Sequence, residues 1–229
     1  MSIRLKSGWL ALLCVFATGA LAQQPAAQTQ AYEVVQVTTQ RVMETVAAAT
    51  DYAESDPELY YQEIHATLDP VIDYRGFARS VMGPYASSQR YRSLDEAGRA
   101  QLRDQLDRFT EVMRVGLVRT YGKGLLAFGG SRIEVAQPPP EASSQSRVSV
   151  RQMIYSDQSE PYIMLYQMGL DKSGQWMLRN VIIEGVNLGE IYRSQFEAAA
   201  RKYDGDIDSV IANWTTSEVD VEAEKKAAS

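Results

Sequence analysis

The chain has 229 residues, with 23 basic and 29 acidic side chains, one histidine (His65) and one cysteine (Cys14). Its formal charge of -6 argues against binding nucleic acid or an anionic membrane through a general electrostatic field. A single cysteine and a single histidine leave almost nothing for disulfides, thiol catalysis or zinc.

At the N-terminus, Arg4 and Lys6 precede the apolar run Gly8 to Ala17, and Ala20-Leu21-Ala22 offers small residues where a signal peptidase reads. Residues 1–22 are therefore expected to be an export leader, cleaved after Ala22. The run is too short to serve as a comfortable membrane span. Cys14 leaves with the leader, and Leu13 before it argues against lipid attachment. Loss of Arg4 and Lys6 leaves 21 basic against 29 acidic residues and moves the net charge to -8. An exported chain without disulfides must rely on an ordinary hydrophobic core, and its length suffices for one domain.

Residues 23–30 read as a polar tether. A first helix is expected over about residues 31–50, with Val35, Val42 and Val46 on its apolar side. Asp56-Pro57 supplies a cap and a first-turn proline for a short helix ending near Leu68. Asp69-Pro70 repeats that signal for a third helix carrying Val71, Ile72, Phe77, Val81 and Met82, ended by Gly83-Pro84. Ser93 to Glu96 has capping-box spacing. It predicts a long helix over about residues 94–121, with Leu102, Leu106, Phe109, Met113, Leu117 and Tyr121 in one stripe, broken by Gly122 and Gly124.

After Gly130 the periodicity changes from 3.6 to 2, giving strands near residues 132–136, 147–155, 162–170 and 175–184. Their connections are a loop with Pro138, Pro139 and Pro140, a tight turn ending at Pro161, and Asp171 to Gly174. Such short links favour an antiparallel meander. Asn187 and Glu190 cap the next helix, which carries Ile191, Tyr192 and Phe196; a last helix near residues 206–214 precedes an acidic tail, residues 215–229, expected to be disordered. Helices followed by a meander imply an α+β domain over residues 31–214, its helices packed on one face of a curved, mainly antiparallel four-stranded sheet with a concave apolar space between them.

In this order the chain resembles the MlaC family of periplasmic phospholipid carriers, also described as toluene-tolerance auxiliary proteins. The markers are Asp69 to Asp73, Met82-Gly83, the helix end Leu117 to Tyr121, Trp176, the Glu184-Gly185-Val186 corner, and Tyr192 to Phe196. Two positions depart: the family's tryptophan after the Met82-Gly83 turn is Tyr85, and its serine after Gly-Val is Asn187, which still caps a helix. The resemblance implies a fold enclosing acyl chains. It also implies a shuttle carrying phospholipid between an outer-membrane lipoprotein–porin complex and an inner-membrane ABC transporter with an MCE-domain subunit, which maintains outer-membrane lipid asymmetry without a cofactor or a nucleic-acid partner.

Methionine suits a lining that meets variable occupants. Alternation puts Met164, Tyr166 and Met168 on one sheet face, Met177, Val181 and Ile183 on one face, and Val148, Val150 and Ile154 on one face. The expected lipid lining is Met113, Leu117 and Tyr121 from the long helix with Val150, Met164, Tyr166, Met168, Val181 and Ile183 from the strands. Which sheet face meets the helices is open, and a solid-cored adaptor that binds a protein partner is the alternative.

Reactive groups are scarce. Asp69 and Asp73 read as helix-capping carboxylates rather than a catalytic pair. Asp204 to Asp208 starts like a calcium loop but has Ser209 where glycine belongs and Thr215 where glutamate belongs. Arg193 reads as a structural ion pair with Glu184 or Glu190 rather than as a phosphate ligand. No catalytic residue and no metal site is expected.

Overall fold

A computed structural model describes residues 27–137, 146–155, 160–220 and 223. The leader and the proline-rich loop lie outside the described residues. Among the described residues, seven helices and a 3-10 turn accompany one sheet: α1 (Ala27–Ala49), α2 (Pro57–Leu68), α3 (Tyr74–Met82), the turn Gly83–Ala86, α4 (Ser88–Ser93), α5 (Glu96–Ala127), α6 (Leu188–Lys202) and α7 (Ile207–Ala212). The strands are β1 (Arg132–Val135), β2 (Arg147–Tyr155), β3 (Tyr162–Leu170), β4 (Trp176–Ile183) and β5 (Val186–Asn187). They pair antiparallel in the order β1-β2-β3-β4-β5, so the meander has five strands rather than four.

Several boundaries differ from the sequence expectation for physical reasons. α1 begins at Ala27, inside the expected tether, because Ala31 and Tyr32 are buried against the sheet. Asp56 caps α2 as anticipated, accepting from Leu59 N. Asp69, in contrast, caps no helix N-terminus; it ends α2 and accepts from Arg114 at 3.0 Å. Residues 71–73 instead run beside β4, where Leu178 N donates to Val71 O and Asp73 N to Leu178 O. Only then does Asp73 cap α3 through Gly76 N. At the next start the cap is Asp95, accepting from Gly98 N, while Ser93 belongs to α4.

α5 continues through Gly122 and Gly124 to Ala127. A Cβ at Gly122 would stand 3.3 Å from Tyr61 Cε1, and the Gly122 carbonyl accepts from the buried Tyr60 hydroxyl at 2.7 Å. That glycine is therefore a close-approach site rather than a helix stop. Glu184 and Gly185 both have positive φ, 52° and 87°, the sign pattern of a type I′ hairpin, and they join Ile183 to its partner Val186. Asn187 then caps α6, its Oδ1 accepting from Glu190 N at 3.3 Å and from Asn180 Nδ2 at 2.7 Å.

One irregularity shapes the sheet. The register between β3 and β4 slips at Gln167/Met168, so that Gln167 faces Asn180 but Met168 faces Leu178. Arg179 is the extra residue of this bulge, and its guanidinium pairs with Asp73 and donates to Leu170 O at 3.2 Å. Asp73 thus holds α3, β4 and the bulge together. We predict that Asp73→Ala lowers unfolding free energy by about 2 kcal/mol, from the lost cap and the stranded guanidinium. Asp69→Ala, which loses only exposed pairs, should cost under about 1 kcal/mol. Urea denaturation compares the two, and equal costs would contradict this account.

Candidate functional site

The pairing registers determine which strand side chains share a face. Val148, Val150, Gln152 and Ile154 of β2 stand opposite Met168, Tyr166, Met164 and Tyr162 of β3, and Val181 and Ile183 of β4 continue the row. Ile133 and Val135 extend it onto β1. This inner face meets the helices: Val148, Val150 and Met168 pack with Ala31, Tyr32 and Val35 of α1, and Ile183 packs with residues of α3, α5 and α6. Beyond the bulge the alternation inverts, so Leu178 and Trp176 join the inner row and Met177 does not. The expectation that Met177 shares a face with Val181 and Ile183 is thereby corrected.

The buried apolar residues do not merge into one core. One cluster joins α3, α5, α6 and α7 to the end of β4; a second joins the start of α1 to β2, β3 and β4; a third joins the end of α1 to α2 and Val118 of α5. The first is the main core and the other two are smaller satellites. Here half-buried apolar side chains stand at the cluster edges: Leu117, Tyr121, Tyr162, Met164 and Val181 on the first, Tyr166 and Leu178 on the second, Leu68 and Leu125 on the third. α5 packs closely on α2, α3, α4 and α7 and stands further from the strands than α1, α3 and α6 do.

Tyr166 characterises that space. It is half-buried, burial raises its phenol above the usual tyrosine value, and among the described residues its hydroxyl contacts Met164 Sδ at 3.5 Å.

Of the nine residues expected to line the site, Leu117, Tyr121, Met164, Tyr166 and Val181 are half-buried at this space. Met113 is fully buried within the helical cluster, and Val150, Met168 and Ile183 are buried at 5%, 3% and 8% exposure, so these four are core side chains. Sequence reasoning did not select Tyr162, Leu178, Ile133, Val135 or Gln152. Strand alternation could have found Tyr162 and Gln152, but Leu178 is hidden by the bulge.

The polar groups elsewhere are occupied structurally. Arg114 donates to Glu111 and Asp69 and contacts His65 Nδ1 at 3.0 Å; hydrogen bonding from Arg114 lowers the Glu111 carboxyl. Arg193 pairs with Glu197 at 3.2 Å, one helical turn on, rather than with Glu184 or Glu190. Asp206 caps α7, and Asp208 accepts from Gln105 and Arg108, which hold its carboxyl below the usual range. No cluster able to hold a metal occurs among the described residues. An open groove of about 600 Å³ between α3, α4 and α5 has the basic residues Arg75, Arg79, Arg92, Arg103 and Lys172 around Ala86, Tyr91, Leu102 and Leu106.

Residues 214–219, placed in the expected disordered tail from Thr215 onward, instead form a strap on the helical layer. Tyr192 Oη donates to Ser217 O at 2.9 Å and lies 2.9 Å from Tyr121 Oη; Thr120 Oγ1 donates to Thr216 O at 3.0 Å. Val219 is buried in the first cluster. Burial is the leading cause raising both the Tyr121 and Tyr192 phenols, which keeps them neutral donors.

Comparison with known proteins gives three findings. The family model described as MlaC protein matches residues 36–216. The toluene tolerance protein ttg2D of Pseudomonas putida is 30% identical over 210 residues, covering 92% of this chain and 89% of that protein. The solved structure of the phospholipid-binding protein from Ralstonia solanacearum, in complex with a phospholipid, superposes with a TM-score of 0.65 at 19% identity, covering 81% of this chain and 94% of that one. At that identity the likeness concerns the fold.

The strap generates its own prediction. Tyr192→Phe removes its links to Ser217 and Tyr121, and should lower stability by about 1–2 kcal/mol. Amide exchange over residues 214–219 should accelerate more than in β2 and β3. Uniform acceleration throughout the chain would instead mean that the strap is not a separately held element.

Proposed function

The chain belongs to the MlaC family, and from that membership we propose that it carries phospholipid, the acyl chains lying between α5 and the inner face of the sheet. One observation carries the proposal: the apolar side chains of that face are half-buried, Tyr162, Met164 and Val181 at the edge of the helical cluster and Tyr166 and Leu178 at the edge of the cluster between α1 and the sheet. An adaptor with a solid core would bury that face. The fold shared with the phospholipid-bound Ralstonia protein supports the same reading.

The physical task explains the residue types. Each methylene buried is worth about 0.8 kcal/mol, so one long acyl chain in water costs on the order of 10 kcal/mol. A carrier lowers that cost by covering the chains, and needs apolar surface that tolerates different lengths. Met164 is unbranched and polarisable, and Tyr166 and Tyr121 offer broad apolar faces. The proposed activity is binding and transfer rather than catalysis. The head group needs no enclosing site because it remains in water.

The leader-like sequence of residues 1–22 and the family membership support a periplasmic location for this activity. There the carrier would accept lipid from, or deliver it to, an outer-membrane lipoprotein–porin complex and an inner-membrane ABC transporter with an MCE-domain subunit. Toluene tolerance, as in the name of the Pseudomonas relative, fits a role in maintaining outer-membrane lipid asymmetry.

Organic-solvent extraction of the purified protein followed by mass spectrometry should recover stoichiometric phospholipid. Recovery of none would count against the carrier. Met164→Glu and Val181→Glu should each reduce recovery at least about tenfold, since a carboxylate has no place against acyl chains. Their loss of stability should be smaller than that of Phe109→Glu in the helical cluster. Equal destabilisation by all three would assign Met164 and Val181 to the core.

A further inference from the structure

Gln152 is a polar residue on an apolar face. It is 4% exposed, flanked on β2 by Val150 and Ile154, and faced by Val135 on β1 and Met164 on β3. Burying an amide group without a partner costs about 1–3 kcal/mol, so such a residue persists where something satisfies it. Thr39 of α1 does so in part, its Oγ1 donating to Gln152 Oε1 at 2.8 Å. That bond orients the amide. The Nε2, with two N–H donors, makes no protein hydrogen bond among the described residues and is not one of the fully enclosed unpaired atoms, so it keeps an opening to space outside the protein.

The surroundings narrow what that donor meets. Thr39 also lines a crevice of about 450 Å³ between α1 and β1, together with Gln36, Gln40, Met43, Ile133 and Val135. Gln36 and Gln40 are exposed, whereas Ile133 and Val135 belong to the inner face. The crevice therefore has an amide rim and the apolar Ile133 and Val135 along its β1 side, with Thr39 on its wall and Gln152, bonded to Thr39 and paired with Val135, directly behind them. A ligand spanning that boundary has its polar portion outside and its chains inside. At the junction an acceptor on the ligand takes the place of water at the free N–H of Gln152. An acyl ester has its carbonyl oxygen at that junction, an acceptor with no proton of its own; an ether linkage has no carbonyl there.

We propose that Gln152, oriented by Thr39, donates a hydrogen bond to an acyl ester carbonyl of the bound lipid at the inner end of the α1–β1 crevice. The site thereby prefers ester-linked glycerolipids over ether-linked ones with the same chains and head group. This rests on the carrier reading and adds to it a subsite and a chemical selectivity. Gln152 is a binding residue and Thr39 a positioning residue.

The test is a competition. Full-length protein purified and stripped of lipid is offered equal amounts of diacyl and dialkyl phosphatidylethanolamine with identical chains, and the bound ratio is read by mass spectrometry. The protein should favour the diacyl form about fivefold, the worth of one modest hydrogen bond. Gln152→Leu should take up both lipids in equal amounts while remaining folded, as judged by circular dichroism and thermal melting. Thr39→Val, which keeps the amide but releases its orientation, should give an intermediate ratio, and supplies the test if Gln152→Leu does not fold. Equal uptake by the unaltered protein, or an undiminished ratio in the variants, overturns the inference and leaves the carrier reading intact. Failure of both lipids to load overturns the carrier reading itself, and this inference with it.

Discussion

Phe109 is fully buried and meets Phe196 at 5.0 Å and Trp214 at 5.2 Å, both near edge-to-face, while Phe196 and Trp214 lie 5.8 Å apart. These three rings join α5, α6 and the chain just after α7 without drawing on any strand. Such pairs are each worth about 0.5–1.5 kcal/mol beyond the area they bury. Tyr85 adds to Phe196 at 5.9 Å, and Phe77 meets Tyr192 edge-on at 6.3 Å. The helical layer is therefore cohesive by itself. That cohesion allows the inner face of the sheet to remain incompletely covered: a domain whose helices depended on the strands for their burial would have to close onto them.

The strands have a matching independence. Long antiparallel ladders between β2, β3 and β4 satisfy the backbone, and α1 covers one end of the inner face through Ala31, Tyr32 and Val35. At the other end, Ile183 and Val186 tie the sheet to the aromatic cluster. Between these attachments stand Met164, Tyr166 and Val181, half-buried. Two layers fastened at opposite ends need not bury the face between the attachments completely. This follows from where the bulky residues sit, and needs no polar constellation to maintain it.

Much of this was legible in the amino-acid sequence, because local chemistry determines it. Asp56-Pro57, the change of period after Gly130, the Glu184-Gly185 corner and the cap at Asn187 all act over a few residues. Strand alternation on β2 and β3 placed Val150, Met164, Tyr166 and Met168 on faces that the pairing unites. What escaped was set by distant contacts. Asp69-Pro70 carries the same start signal as Asp56-Pro57, and only the bridge from residues 71–73 to Leu178 moves the start of α3 to Asp73. Met177, Val181 and Ile183 alternate perfectly on paper, and Arg179 breaks the pattern only through its pairing with Asp73. Gly122 resembles a stop until Tyr60 and Tyr61 are seen to need its missing Cβ. Thr216 and Val219 lie in a stretch of low hydrophobicity, and their order comes from hydroxyls on α5 and α6.

An incompletely filled interior has an energetic consequence under the carrier reading. Apolar walls without a neighbour lose dispersion contacts, and an unfilled cavity costs stability in proportion to its volume. Lipid between α5 and the sheet would supply those contacts, and by mass action any ligand that binds only the native state raises its stability. The half-buried state of Leu117, Tyr121, Met164 and Val181 is then a property of the empty protein rather than of the working complex. The same coupling limits how tightly the chains can be held. A lining of Met164 and broad tyrosine faces adapts to its occupant without the close complementarity that would make release slow. A carrier needs both burial and release, and this face offers burial with little directional bonding beyond the one amide at Gln152.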